Sequence, residues 1–224
     1  MNKAAFFDID GTLTSENVWK GLMGYFKAHH SRQLLHVFFL AIHFPIYLLN
    51  KTGIVREGVF REIWASHLPW YFRKYSVEDA DEIWHWVVYD FLKPYWRKDV
   101  LEKMKQHFEA GDYVVLVSAG PLPLVQKIAD FLDADLAVGT AVDIVDGQFT
   151  GKIIPPVCID EEKVRLALKR LKARNIHVDL TQSFAYADSK TDIPLLKMVG
   201  NPVAVYPSAD LEEVALRENW LILR

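Results

Sequence analysis

The sequence predicts an α/β fold: a parallel sheet core with an all-helical cap inserted after the first strand. Three observations predict it. Four short apolar runs each end at a turn or a polar cluster, as buried strands do. Stretches with helical spacing separate these runs, and strands alternating with helices build a parallel sheet covered on both faces. Between the first two runs lies a long helical-looking stretch holding six of the seven tryptophans and six of the eight histidines. That shift in composition marks a separate subdomain.

The first strand is Ala4-Ala5-Phe6-Phe7, and it delivers Asp8-Ile9-Asp10-Gly11-Thr12 at its C-terminal end. Residues 15–97 follow as the helical insertion, which leaves residues 1–14 and 98–224 for the core. Inside the insertion, Leu34 to Leu49 is almost wholly apolar. Its 16 residues fall short of the ~20 needed to cross a bilayer, and His36, His43 and Pro45 interrupt it. The favoured reading is a buried helix that stops or kinks near Pro45. A surface that touches membrane or binds an acyl chain is the second reading, and a transmembrane helix the third. Trp64, Trp70, Trp84, Trp86 and Trp96 read first as the core of a small bundle. A cage for an acyl or quaternary-ammonium group is the alternative, and it singles out Trp70 and Trp86 as determinants of substrate preference.

A helix over Val100–Glu109 precedes the second strand, Tyr113–Val117, which ends at Ser118-Ala119-Gly120. A helix over Leu122–Leu132 follows. Ala141–Ile154 alternates around Asp146-Gly147 and reads as a hairpin. A helix over Glu161–Arg174 has Asp160 as its N-cap and acids in its first turn. The third strand, Ser183–Ala187, ends at Asp188. A helix over Ile193–Val199 leads to the fourth strand, Pro202–Tyr206.

The bulk numbers set bounds. A net charge of −3 over 224 residues gives no support for nucleic-acid binding, which announces itself as a basic balance. The lone Cys158 excludes a disulfide framework and a thiolate metal cluster, and favours a reducing compartment. The stretch before Asp8 is too short for a signal peptide, so the cytoplasm is the default location.

Ligands of parallel sheets gather at the carboxyl ends of the strands, where the polar clusters of this chain lie. Asp8 and Asp10 crowd one spot if the strand continues and separate into two roles if the chain turns. Phosphoryl transfer can use both: one carboxylate attacks phosphorus, the other gives a proton to the leaving oxygen and later activates water. The plain alternative is an acidic turn capping a helix. Ser118 and free N–H groups ahead of a helix make an anion site, or simply a turn. Lys163 in a first helical turn opposes the macrodipole, so it calls for an anionic partner, which Glu161 or Glu162 would also supply. Asp188 and Asp192 flank a strand-to-helix turn, and oxygen-only ligands there suit Mg²⁺.

The order DxDGT, then Ser at a strand end, then Lys, then DxxxD resembles the four motifs of the haloacid dehalogenase-like superfamily. The helical insertion is placed as in its type I capped members, and the chain resembles the phosphoserine-phosphatase-like branch. The resemblance implies a Rossmann-like core and a Mg²⁺-dependent phosphatase acting on a small phosphomonoester through a phosphoaspartate. It implies Asp8 as nucleophile and Asp10 as general acid and base. Mg²⁺ falls to the Asp8 carboxylate, the Asp10 carbonyl and Asp188, supported by Asp192. The phosphoryl group falls to Ser118 and Lys163, with N–H groups of Asp10, Gly11 and Ala119. Two departures point away from phosphoserine. The amine-binding Glu of those enzymes is Asn17 here, with an acid one residue earlier at Glu16, and Ser-Ala-Gly-Pro replaces Ser-Gly-Gly. A phosphoserine phosphatase, or a lipid phosphate phosphatase similar to the phosphatidylglycerophosphatase type, is one alternative. A phosphotransferase or mutase is a second, and a membrane-associated binding protein is a third.

Overall fold

The computed structural model describes residues 2–224. Its strands are β1 (Ala4–Phe7), β2 (Tyr113–Pro121), β3 (Leu136–Thr140), β4 (Val142–Val145), β5 (Gln148–Ile153), β6 (Phe184–Ala187), β7 (Asn201–Val205) and β8 (Leu221–Leu223). Six of them form one parallel sheet in the order β3-β2-β1-β6-β7-β8, and β4 and β5 form an antiparallel hairpin. The helices are α1 (Val18–Ala28), α2 (Gln33–Lys51), α3 (Glu57–His67), α4 (Val77–Trp86), α5 (Lys98–Glu109), α6 (Leu122–Phe131), α7 (Glu161–Ala173), α8 (Ile193–Lys197) and α9 (Ala209–Arg217).

Side chains of a strand alternate between faces, and here each face has its own core. Ala5, Phe7, Val114 and Leu116 join residues of α5 and α6 on one side. Ala4, Phe6, Val115 and Val117 join residues of α7, α8 and α9 on the other. β1 is buried along its whole length, because it lies in the middle of the sheet between β2 and β6. The fold class read from the sequence is the one observed.

Some elements differ from expectation. β3, α9 and β8 complete the sheet and its cover without having been expected; β3 carries Gly139 and β8 is only three residues long. β2 does not end at Val117 but continues to Pro121, with an irregular register against β3 between those residues. Such an irregularity re-aims side chains at a sheet end, and Ser118 to Gly120 lie inside it. Asp160 occupies the N-cap position of α7, but its φ is 48° and its side chain makes no capping hydrogen bond.

Helices α1–α4 and a 3₁₀ turn over Leu68–Phe72 form the cap, and the β4–β5 hairpin grips it. Lys74 N–H donates to the Phe149 carbonyl at 2.7 Å, Phe149 N–H to Tyr75 at 2.9 Å and Val77 N–H to Gly147 at 3.1 Å. The Phe149 ring lies edge-on to Phe72 and Trp84, with centroids 5.0 and 6.3 Å away. Trp84 is therefore core. Trp70 stacks on His67 and Trp86 on Phe91.

The favoured reading of Leu34 to Leu49 is overturned. α2 runs through Pro45 and buries only Phe39 and His43, while Leu34 is 88% and Phe44 58% exposed. A helix apolar all round gives no periodic signal of which side packs. Only one stripe finds a partner: His43 gives Nδ1–H to the Phe39 carbonyl (2.7 Å) and pairs through Nε2 with His67 (3.0 Å), and His36 pairs with the Tyr71 hydroxyl (2.7 Å).

If Phe149 is the clamp between hairpin and cap, Phe149→Ala should cost about 3–5 kcal/mol, the usual loss for a buried phenylalanine. A urea midpoint unchanged from wild type would reject this.

Candidate active site

Asp8 follows the last residue of β1, and its N–H is held by the Tyr186 carbonyl of β6 at 3.0 Å. The chain then turns, so the two carboxylates separate. Asp8 faces Lys163, whose Nζ donates to Asp8 Oδ1 at 2.5 Å and also to Asp192 Oδ1. All three are buried. Lys163 reaches them from the first turn of α7, and its partners are these acids rather than Glu161 or Glu162. The other oxygen of Asp192 accepts from Ser189 Oγ at 2.5 Å, which occupies both of its carboxylate atoms. Thr12, missed in the sequence, bridges Asp8 (3.2 Å) and Asp188 (3.4 Å) with its hydroxyl.

Asp10 turns the other way. Its Oδ1 accepts the N–H of Val18, the first residue of α1, at 2.6 Å. That bond satisfies a helix-end donor and leaves the second oxygen for other work. Gly11 has φ +88°, and a Cβ there would lie 2.2 Å from Asp188 Oδ2. Its N–H is already given to Thr14 at 2.9 Å, so it serves the site by clearance and not as an N–H donor. Ser118 is fully buried, and its Oγ accepts from Gly120 N–H at 3.1 Å, which leaves its hydroxyl proton free to donate. The Ala119 carbonyl accepts from Thr140 Oγ1 at 2.7 Å.

The cap supplies a residue the sequence did not single out. Arg61 of α3 pairs with Glu57 at 2.6 Å and donates to Thr191 at 3.2 Å and Ser189 at 3.4 Å. A charged residue within a helical stretch was the only available signal, and it is common on surfaces. Glu16 pairs with Lys20 at 2.6 Å, so the displaced acid is neutralised, and Asn17 lines the adjoining cavity in its place. That cavity, of about 390 Å³, runs from Asp10, Ala119 and Gly120 between α1, α2 and α3, with walls that include Trp19, Phe60 and Trp64.

Burial pushes Asp10 up to about 6, against the pull of the Val18 amide and of Lys163. Burial and then Asp192 push Asp188 up to about 7. Burial likewise raises Asp8, with Lys163 opposing and the other acids adding. Burial disfavours the charge on Lys163, yet Asp192 and Asp8 outweigh it and hold the ammonium protonated. Asp8, Asp188 and Asp192 each bring an oxygen within 4.8 Å of the others. The Asp10 carbonyl accepts no hydrogen bond among the described residues. An all-oxygen donor set beside a free carbonyl fits Mg²⁺.

A family model described as haloacid dehalogenase-like hydrolase matches residues 5–197. A phosphoserine phosphatase of Mycobacterium tuberculosis is 29% identical over 99% of this chain and 70% of its own length. A histidinol-phosphatase of Neisseria meningitidis is 24% identical over 100% of this chain and 99% of its own. A solved structure from Bordetella pertussis, described as a protein with unknown function, superposes with a TM-score of 0.84 at 23% identity, covering 100% of this chain and 99% of that one.

Two outcomes check this geometry. Lys163→Met leaves buried carboxylates without their cation and should cost about 3–5 kcal/mol in metal-free urea unfolding; a loss near zero would contradict the pairing. Cys158 is buried and its thiol is pushed up to about 12 by that burial. It should resist iodoacetamide in the native state at mildly alkaline pH and react on unfolding, as mass spectrometry would show.

Proposed function

This chain belongs to the haloacid dehalogenase-like hydrolases, and on that premise we propose a magnesium-dependent phosphatase that hydrolyses a phosphomonoester through a phosphoaspartate on Asp8. We take residues 15–97 as its cap and residues 1–14 with 98–224 as its core. The observation that carries the reading is the division of labour between two neighbouring acids. Asp8 lies against Lys163 at the end of β1, while Asp10 is fixed to Val18 and lines an apolar cavity.

Mg²⁺ would be held by the Asp8 carboxylate, the Asp10 carbonyl and Asp188, and when bound it supplies positive charge that offsets the repulsion between carboxylate and phosphate. Lys163 and the Ser118 hydroxyl hold the phosphoryl oxygens, with Ala119 N–H beside them. Asp8 Oδ attacks phosphorus, the phosphorus–ester oxygen bond breaks, and Asp10 gives its proton to the departing oxygen. Asp10 then takes a proton from water, whose oxygen attacks the phosphoaspartate. The products are the alcohol and inorganic phosphate, and Asp8 returns as carboxylate. An Asp10 pushed up to about 6 by burial suits both directions of this transfer, since efficient acid–base groups titrate near the working pH. Asp192, with both oxygens engaged, holds Lys163 in place.

The two named relatives act on different phosphomonoesters, and this cavity differs from an amine pocket because Glu16 is spent on Lys20. An unpaired ammonium buried there would be costly, so phosphoserine should be a poor substrate.

Phosphate release measures these roles. Asp8→Asn should abolish turnover, because an amide does not attack phosphorus and the uncatalysed reaction is extremely slow; near-normal activity would reject the covalent route. Asp10→Asn should lose ~10²–10⁴-fold on alkyl phosphates and much less on p-nitrophenyl phosphate, whose leaving group needs no proton. Equal losses on both would remove Asp10 from this role. Chelation should stop release, with Mg²⁺ restoring it well and Ca²⁺ poorly, since Ca²⁺ takes longer bonds and more ligands. Full activity after exhaustive chelation would reject the metal site.

A further inference from the structure

We propose that the outer face of α2 lies on an anionic lipid bilayer, and that the phosphomonoester is a lipid whose hydrocarbon enters the cavity beside Asp10. The substrate half of this inference rests on the reaction proposed above, and the surface half does not.

The outer face is the first argument. α2 packs Leu35, Phe39, Ile42, His43 and Ile46 inward or at the margin. At its outward positions Leu34 is 88%, Val37 65%, Phe38 56% and Leu48 48% exposed. From Leu34 to Leu49 the outward positions carry no charge, and the Tyr47 hydroxyl is their one polar side-chain group. A contiguous apolar face of this kind marks an interaction surface, since single exposed apolar residues are ordinary but a whole helix side is not.

Charge decides between occupants. From Asn17 to Arg56 the sequence has no acidic residue and five cations, Lys20, Lys27, Arg32, Lys51 and Arg56, in a chain of net charge −3. Lys27 and Arg32 precede α2, Lys51 ends it, and Arg56 stands at the start of α3. An apolar helix face bracketed by cations is complementary to anionic headgroups over acyl chains. Two copies of this face would set like charges against each other. The helix rests on the bilayer rather than crossing it, because His36 and His43 tie its inner side to Tyr71 and His67 of the cap.

The cavity connects this surface to the chemistry. Leu40, Phe44 and Tyr47 belong to the outward side of α2 and also line the cavity, whose inner end is Asp10 with Ala119 and Gly120. A substrate with its ester oxygen at Asp10 therefore has only apolar and aromatic walls for the rest of its length toward α2, apart from Asn17, Arg61 and His43. The volume of about 390 Å³ falls in the range of small-ligand sites, ~300–1,000 Å³.

The test uses the full chain and sedimentation with vesicles. Wild type should pellet with phosphatidylcholine vesicles containing phosphatidylglycerol and bind pure phosphatidylcholine at least about tenfold more weakly. Leu34→Asp with Phe38→Asp, at positions outside the cavity, should lose anionic-vesicle binding by about tenfold or more and lose hydrolysis of vesicle-borne phosphatidic acid in proportion. Its turnover of soluble p-nitrophenyl phosphate should stay at the wild-type value, which also shows that it folds. Lys27→Glu with Arg32→Glu should weaken binding in the same way. Wild type left in the supernatant with anionic vesicles would overturn the surface. So would a dimer in analytical ultracentrifugation that the Leu34→Asp, Phe38→Asp variant dissociates. Faster release from phosphoserine than from phosphatidic acid would overturn the lipid substrate. Vesicle binding without any p-nitrophenyl phosphate turnover would leave the surface standing and sink the reaction instead.

Discussion

The arrangement depends on one buried cation. Asp8, Asp188 and Asp192 gather their oxygens within 4.8 Å of each other, and burial together with the neighbouring acids disfavours the ionised forms of Asp8 and Asp188. Lys163, buried and shared between Asp8 and Asp192, is what makes the cluster tolerable. Its position is set far from the carboxylates in sequence, in the first turn of α7, where a lysine opposes the helix dipole. The local penalty at α7 and the tertiary gain at β1 are two sides of one contact.

Sheet topology brings the rest to that point. β1 lies between β2 and β6, so three neighbouring strands run side by side, with Asp8 and Asp188 just beyond the ends of β1 and β6 and Ser118 in the irregular last stretch of β2. Gly11 then lets the loop after β1 pass close to Asp188, where a Cβ would collide. The irregular end of β2 matters in the same way: it places Ser118, fully buried, with its hydroxyl oxygen already committed to Gly120 and its proton still free.

Cap and core meet through polar contacts as well as through apolar packing. Asp10 holds the start of α1 at Val18, and Arg61 of α3 reaches Ser189 and Thr191 beside the acid cluster. The loop after β1 is thus bonded to the cap that shapes the cavity. On the far side, α2 shares Leu40, Phe44 and Tyr47 between cavity wall and molecular surface. The site is enclosed by residues that themselves face outward.

The sequence by itself determined the alternation of strands and helices, the insertion after β1, and the residues of the acid cluster. Those features are local: an apolar run of four residues, a turn glycine and a pair of acids are read within a few positions. It also showed that Leu34 to Leu49 is apolar. Which side of that helix is covered was decided only by tertiary structure, because an even apolar pattern carries no phase and the packing partners, Tyr71 and His67, lie more than twenty residues away. The same holds for the partner of Lys163, which local charge would have placed on Glu161 or Glu162, and for Arg61 and Thr12, whose roles come from contacts with residues 128 to 176 positions distant. β3 and β8 went unread for a related reason, since a short strand is stabilised by the neighbours it pairs with more than by its own residues.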